Sequence, residues 1–317
     1  MTAPLLEIEG LRVVFPTRRN VLTALDDISF TLERGEILGF VGESGAGKSI
    51  TGAAVMGLIE PPGYIESGII RLKGKPVADH GAALRGRQIG MIFQDPLTSL
   101  NPLRRVGDQL TETILFHLNV TPNEARQRAL AGFQEVGIAA DRFDAYPHEF
   151  SGGMRQRIVI ALALAAEPDL IIADEPTTAL DVSVQAQVLD LLRDICRRRG
   201  ASVILITHDM GVIAETTDRV AVLYAGRLVE IGPTAEVMRK PRHPYTKGLI
   251  ASTPVLESVD ADTVLSQIPG SMPSLDALPP GCRFHPRCPV ATARCGEENP
   301  AFQGGVACHL FAEDDHG

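Results

Sequence analysis

Gly42-Glu43-Ser44-Gly45-Ala46-Gly47-Lys48-Ser49 limits most tightly what this chain can become, because it fits G-x-x-x-x-G-K-[ST] at every fixed position. The pattern has physical meaning only between a strand and a helix, and the flanks supply both. Ile37 to Val41 is an apolar β-type run, and Ser49 to Leu58 reads as a helix that Pro61-Pro62-Gly63 must end. Glycines let the backbone close around phosphate oxygens, and the free N–H groups of the new helix point at them. Lys48 adds positive charge and Ser49 can ligate Mg²⁺. An ordinary glycine-rich βα turn would need neither the lysine nor the hydroxyl.

The rest of the chain supplies a sheet for that loop. Short β-type runs at Leu11 to Phe15 and Ile28 to Leu32 precede it. Further on, Ile89 to Phe93, Leu170 to Ala173 and Val203 to Thr207 read as strands, with helices at Met154 to Ala166 and Val184 to Arg198. Such alternation means a parallel sheet covered by helices. Residues 102–150 read as mainly helical, with Thr121-Pro122-Asn123-Glu124 supplying a cap, a first-turn proline and an early acid. Prolines crowd the chain beyond Gly232, from Pro233, Pro241, Pro244 and Pro254 onward, so that part is expected to be a separate, loop-rich region.

Composition narrows the partners. Hydrophobic residues at 44% and charged residues at 22% of 317 positions are globular proportions, and the net charge of −9 removes the basic footprint that nucleic acid requires. The central apolar run Ile158 to Ala166 is far shorter than the roughly 20 residues of a membrane-spanning helix. The opening MTAPLLEIEG has acids where an export signal carries base, so the chain is expected in the cytosol.

Leu170-Ile171-Ile172-Ala173-Asp174-Glu175 puts two acids at the end of an apolar strand, where open α/β sheets meet their ligands. Asp174 can orient Mg²⁺ and Glu175 can polarise a water; alone, the pair could simply cap the next helix. Three further segments decide between these. Phe150-Ser151-Gly152-Gly153-Met154-Arg155-Gln156-Arg157 resembles the signature motif of ABC-type ATPases. Gln94, after one strand, resembles their Q-loop, and His208, after another, their switch histidine; Asp181 in Ala179-Leu180-Asp181 matches the D-loop. The resemblance covers residues 5–232. It implies an ABC-type P-loop NTPase of α/β class, with a RecA-like parallel sheet core, an N-terminal antiparallel β subdomain and a helical insert at 95–150. The expected division is an ATPase domain over 1–232 and a C-terminal accessory region over 233–317.

The same resemblance assigns roles. ATP binding is expected at Phe15, Gly42, Ser44, Gly45, Ala46, Gly47, Lys48, Ser49, Ile50 and Gln94, with Phe15 the candidate for stacking on adenine and a core position its alternative. Mg²⁺ is assigned to Ser49, Gln94 and Asp174, and catalysis to Glu175, His208 and Lys48. Ser151, Gly152 and Gly153 begin a helix whose amides suit a γ-phosphate; in this family that phosphate belongs to ATP on the opposing subunit, so a dimer is implied.

Gln94-Asp95-Pro96-Leu97-Thr98-Ser99-Leu100-Asn101-Pro102 is similar to the extended Q-loop of ATPase subunits from bacterial oligopeptide and dipeptide importers. Pro241-Arg242-His243-Pro244-Tyr245-Thr246 and Gly281-Cys282-Arg283-Phe284-His285-Pro286-Arg287-Cys288 resemble the same family's tail. This implies a peripheral protein at the cytoplasmic face of the plasma (inner) membrane. Its expected partners are a paralogous second ATPase in a heterodimer, two membrane-spanning permease subunits and an extracytoplasmic substrate-binding protein. A nickel importer of the same family is the alternative within transport. A soluble ABC ATPase acting on DNA or ribosomes would be expected to carry two cassettes or a basic or coiled-coil insert, and this chain has one cassette and a negative charge.

Cys282, Cys288, Cys295 and Cys308 are separated by five, six and twelve residues in a loop-rich cytosolic segment, which suits a metal centre that staples it. Structural Zn²⁺ is one reading, although zinc sites use tighter C-x₂₋₄-C spacings. Four-cysteine ligation also suits iron–sulfur clusters, and the resemblance to peptide-importer ATPases implies a [4Fe–4S] cluster, the reading preferred here. Cys196, in a helical stretch, reads as a small buried hydrophobe.

Overall fold

The computed structural model describes residues 3–78, 81–178, 180–253 and 267–311. Ala179, in the expected D-loop, and Pro254 lie outside the described residues. In chain order the first strands are β1 (Leu6–Pro16), β2 (Val21–Leu32), β3 (Ile37–Val41), β4 (Tyr64–Leu72) and β5 (Lys75–Pro76). They are followed by β6 (Ile89–Ile92), β7 (Leu170–Asp174), β8 (Ser202–Ile206), β9 (Arg219–Tyr224) and β10 (Arg227–Pro233). The chain divides into two compact units, one drawn from Met1–Leu32, Leu38–Pro76 and Thr207–Gly317, the other from Glu33–Ile37 and Val77–Ile206.

In the first unit β2, β1, β4 and β5 form an antiparallel sheet in that order. β1 buries Leu6 and Ile8, then Leu11 and Val13, so the inward set passes from even to odd positions. A register shift between Ile8 and Leu11 makes this possible: one extra residue returns the apolar side chains to the same face. β4 was not apparent in the sequence, because most of its positions are exposed and Gly68 interrupts it. Elsewhere in this unit β3 runs parallel to β9, and β9 turns back into antiparallel β10. Ala225 and Gly226 make that two-residue turn with φ of 46° and 81°, the left-handed pair that matches strand twist.

Every residue of β3 is buried, and the helix Lys48–Met56 follows the glycine loop. The expected terminator of this helix is corrected. Gly57, in the left-handed region at φ 64°, ends it by donating its N–H to Ala53 and Ala54 carbonyls, before the prolines are reached. The C-terminal residues join the same unit's core: Tyr245 and Phe284 are buried with Val222, Tyr224 and Ile213. The rings of Tyr224, Tyr245 and Phe284 stand 4.7 to 5.3 Å apart, edge-on or tilted. Val306 bridges to Glu230 of β10.

In the second unit β6, β7 and β8 are parallel, with β7 in the middle. Leu170 to Ala173 are fully buried, as an apolar strand covered on both faces requires. Residues 102–150 resolve into the helices Val106–His117 and Pro122–Glu135 and two short 3-10 turns. Thr121 caps the second helix, its hydroxyl accepting the Glu124 N–H at 3.3 Å, and Pro122 occupies the first turn. The helices Gly152–Leu164 and Val182–Arg199 complete the unit's main elements.

Candidate nucleotide site

Gly47 has φ 105° and caps the helix Lys48–Met56; a Cβ there would lie 2.7 Å from Leu25 Cδ2, so the fold accepts only glycine at this point. Lys48 is buried, and its Nζ donates to the carbonyls of Gly42 at 2.7 Å and Glu43 at 3.1 Å. The ammonium thus already sits inside the curl of the loop. Ser44, Gly45 and Ser49 are exposed, Ala46 is buried and Ile50 is half-buried on the first turn. Phe15, opposite Leu22 in the β1–β2 register, is half-buried with its ring against Gly63. His208 belongs to the same unit and is exposed after β8; the next residue, Asp209, caps the helix Met210–Thr216.

The second unit holds the acids. Asp174 ends β7, paired in register with Ile206 of β8. Glu175 follows with φ 46°, a left-handed conformation costly for a residue with a side chain, and its N–H donates to Ile206 O at 2.9 Å. That backbone turn aims a carboxylate which two donors then fix: Gln94 Nε2 at 3.1 Å and Thr178 Oγ1 at 2.9 Å, both on Oε2. The structure therefore joins Gln94 to Glu175. Thr178 went unnoticed in the sequence, although a hydroxyl three residues after a carboxylate is a local signal.

Ser151 caps the helix Gly152–Leu164, its hydroxyl accepting the Met154 N–H at 3.4 Å. Ser151 and Gly152 are exposed at this helix start. Gly153 is instead pressed against the next helix, for a Cβ on it would come within 2.6 Å of Val184 Cγ1. Asp181, exposed, occupies the cap position of the helix Val182–Arg199 that carries Val184. Ser151 to Gly153 and Asp181 thus flank one helix–helix contact.

Cys282, Cys288, Cys295 and Cys308 all line one small cavity of about 20 Å³, walled by Phe284, Val290 and Pro300. All four are free thiols. Burial pushes the Cys282 thiol up to about 11 and raises Cys288 and Cys308 as well. Among the described residues no three Cys, His, Asp or Glu side chains are spaced to hold a single metal ion. Cys196 lies apart, fully buried in the helix Val182–Arg199.

The chain matches the ABC transporter family over residues 25–178 and the C-terminal region of oligopeptide/dipeptide transporters over residues 229–295. It is 45% identical to the oligopeptide transport ATP-binding protein AppD of Bacillus subtilis, with 98% of each chain covered. The chain belongs to the ATP-binding proteins of the oligopeptide/dipeptide ABC transporter family. The dipeptide transport ATP-binding protein DppD of Bacillus subtilis is 47% identical, covering 93% of this chain and 90% of its own. Among solved structures, the ATP-binding cassette MJ0796, in a dimeric post-hydrolysis state bound to ADP and Pi, superposes with a TM-score of 0.64. It is 25% identical over 72% of this chain and 98% of its own. CbiO1 of Clostridium perfringens gives a TM-score of 0.67 at 27% identity, over 75% and 92% of the two chains. The fold is that of an ABC ATPase, with an antiparallel β subdomain and a mixed, largely parallel sheet core.

Proposed function

We propose that this chain is the ATP-hydrolysing subunit of a peptide importer, driving oligopeptide or dipeptide uptake through separate membrane-spanning subunits. The observation that carries the reading is the presence, in one chain, of the ABC cassette match and the oligopeptide/dipeptide C-terminal match. In this reading the loop Gly42–Ser49 holds the phosphates, Lys48 exchanges its two carbonyl partners for phosphate oxygens, and Ser49, Gln94 and Asp174 serve Mg²⁺. Glu175, its Oε2 held by Gln94 and Thr178, polarises the attacking water, and His208 orders the reaction geometry. Phe15 faces adenine.

The helix start at Ser151, Gly152 and Gly153 serves ATP on an opposing subunit, and Asp181 lies beside that contact. Two ATPase subunits, expected as paralogues, then act with two permeases and an extracytoplasmic binding protein. Among the described residues no helix is long and apolar enough to cross a membrane. Attachment is therefore peripheral, at the cytoplasmic face, through the Gln94 segment and the helices of residues 95–150. ATPase residues 1–232 and accessory residues 233–317 are proposed as a division of roles and not of folding units, since Tyr245 and Phe284 pack in the core with Val222 and Tyr224.

The four cysteines are proposed to ligate a [4Fe–4S] cluster. What supports the reading is that all four thiols line one cavity, together with the resemblance of the tail to that of peptide-importer ATPases. When bound, such a centre supplies a covalent cross-link between segments that have few apolar residues of their own. Anaerobic purification with iron, sulfide and zinc analysis tests it: four irons and four sulfides per chain are expected, and stoichiometric zinc without iron contradicts it. For the function itself, the chain is co-expressed with its permeases and ATP binding and turnover are measured. Lys48→Ala is expected to abolish nucleotide binding, and an unchanged affinity refutes the assignment of the loop.

A further inference from the structure

Glu43 occupies a variable position of the phosphate loop, yet it is held by residues some 200 positions away. Arg287 Nη1 and Nη2 donate to Glu43 Oε2 and Oε1 at 2.6 and 3.0 Å, a two-point pairing of guanidinium with carboxylate. The Tyr245 hydroxyl accepts the Glu43 N–H at 2.8 Å, so backbone and side chain are both gripped. Met272 approaches the same loop, its Sδ 3.9 Å from where a Cβ on Gly45 would lie.

Arg287 is itself fixed. Its side chain is 5% exposed, its Nε donates to Pro269 O at 2.8 Å, and Nη1 reaches the Tyr224 hydroxyl at 3.3 Å. Removing a guanidinium from water is costly, and the two-point pairing with Glu43 and the further hydrogen bonds offset that cost. The geometry so fixed is that of the loop, because the Glu43 carbonyl accepts from both Lys48 Nζ and the Ala46 N–H at 3.1 Å. Displacement of Glu43 therefore disturbs the Glu43–Ala46 turn of the loop and one of the hydrogen bonds that hold the Lys48 ammonium. Arg287 also lies in the turn His285–Arg287, which is bounded by Cys282 and Cys288: the His285 N–H donates to Cys282 O, and the Cys288 N–H to His285 O.

We propose that Arg287 is a positioning residue for nucleotide binding: by pinning Glu43 it sets the phosphate loop, and it makes the C-terminal region a working part of the ATP site. The inference rests on the reading of Gly42–Ser49 as that site. It predicts that the cysteine-lined loop and the phosphate loop respond to each other through one turn of chain.

The test measures equilibrium binding of a fluorescent Mg·ATP analogue and steady-state ATPase kinetics on the assembled transporter. The variants are Arg287→Ala, Arg287→Lys, Glu43→Gln and the double Glu43→Gln/Arg287→Ala. Each single change to Ala or Gln is expected to weaken nucleotide binding about tenfold and to raise KM in parallel, with kcat at saturating ATP within about twofold. Arg287→Lys, which keeps the charge and loses the fork, is expected to fall between these and the wild type. The double variant is expected to be no worse than either single. Glu43→Gln is nearly isosteric and keeps the test open if Arg287→Ala fails to fold. Unchanged affinity and KM in Glu43→Gln and Arg287→Lys, or fully additive losses in the double variant, overturn the proposal. So does a lowered melting temperature with unchanged affinity. If Lys48→Ala binds nucleotide as well as the wild type does, the ATP-site reading fails instead.

Discussion

Gly153→Ala is the substitution whose effect follows most directly from the packing. The new Cβ would lie 2.6 Å from Val184 Cγ1, well inside any real contact, so the helix Gly152–Leu164 must move by roughly 1 Å or Val184 must leave its place. Overpacking of this kind costs about 1 to 3 kcal/mol, and replacing glycine by alanine within a helix returns up to about 1 kcal/mol. The net loss is then about 0 to 3 kcal/mol, which lowers the melting temperature by about 2 to 4 °C for each kcal/mol. Gly152→Ala is the internal control, because its Cβ would meet Leu180 Cδ2 at 3.5 Å, an ordinary contact, and its stability is expected to hold or rise slightly. Val184→Ala removes the clashing atom. In a double-mutant cycle followed by thermal unfolding, Gly153→Ala/Val184→Ala is expected to recover about 1 kcal/mol relative to the sum of the singles. Additivity within error, or a Gly152→Ala variant as unstable as Gly153→Ala, refutes the reasoning.

Two further predictions use charge and burial. Asp26 accepts from Arg12 Nη1 at 3.0 Å, from Arg227 Nη2 at 2.8 Å and from Arg283 Nη2, three guanidiniums on one carboxylate. Burial pulls the Asp26 pKa up, but the Arg227 hydrogen bond and the three positive charges hold it below its ordinary value. The native state therefore binds fewer protons than the unfolded chain, and this stabilisation is complete above the ordinary carboxylate range and lost as pH falls through the native value. Asp26→Asn is expected to cost about 3 to 5 kcal/mol near neutrality, with the difference in urea midpoint from wild type narrowing as pH falls below the ordinary carboxylate range; a gap independent of pH contradicts it. Burial pushes the Cys196 thiol up to about 12, so native protein at pH 8 should leave it unalkylated by iodoacetamide until denaturant is added. Rapid labelling in the native state, located by peptide mass mapping, would show the helix to be open there.

The motifs that the ATP reading uses were legible because each is contiguous and sits at a strand end or a helix start. Gly42–Ser49, Asp174-Glu175 and Ser151–Gly153 carry their strand or helix context in the neighbouring residues, and Thr121-Pro122 announced its helix in the same way. Elements with a weaker local pattern were missed. β4 exposes most of its side chains, and the β9–β10 turn uses Ala225 in a left-handed conformation where asparagine or glycine would have been the signal. The prolines after Gly57 suggested a helix end at Leu58, two residues beyond the observed one at Met56. Nothing in the sequence joined Glu43 to Arg287, 244 positions apart, or Asp26 to Arg283, 257 apart; such pairs depend on chain segments meeting in the fold, and no local periodicity encodes them.

The most direct test of the central claim is ATP-driven uptake of a radiolabelled peptide into proteoliposomes that hold the assembled transporter, with ATP supplied on the side of this chain and hydrolysis measured in parallel. Wild type is expected to accumulate peptide only with Mg·ATP. Glu175→Gln is expected to bind ATP normally while hydrolysis and uptake fall together by about 100-fold or more, the scale of a lost general base. Uptake and hydrolysis at the wild-type rate by Glu175→Gln would contradict the role of that carboxylate, and hydrolysis by the wild type without any peptide movement would contradict the importer itself.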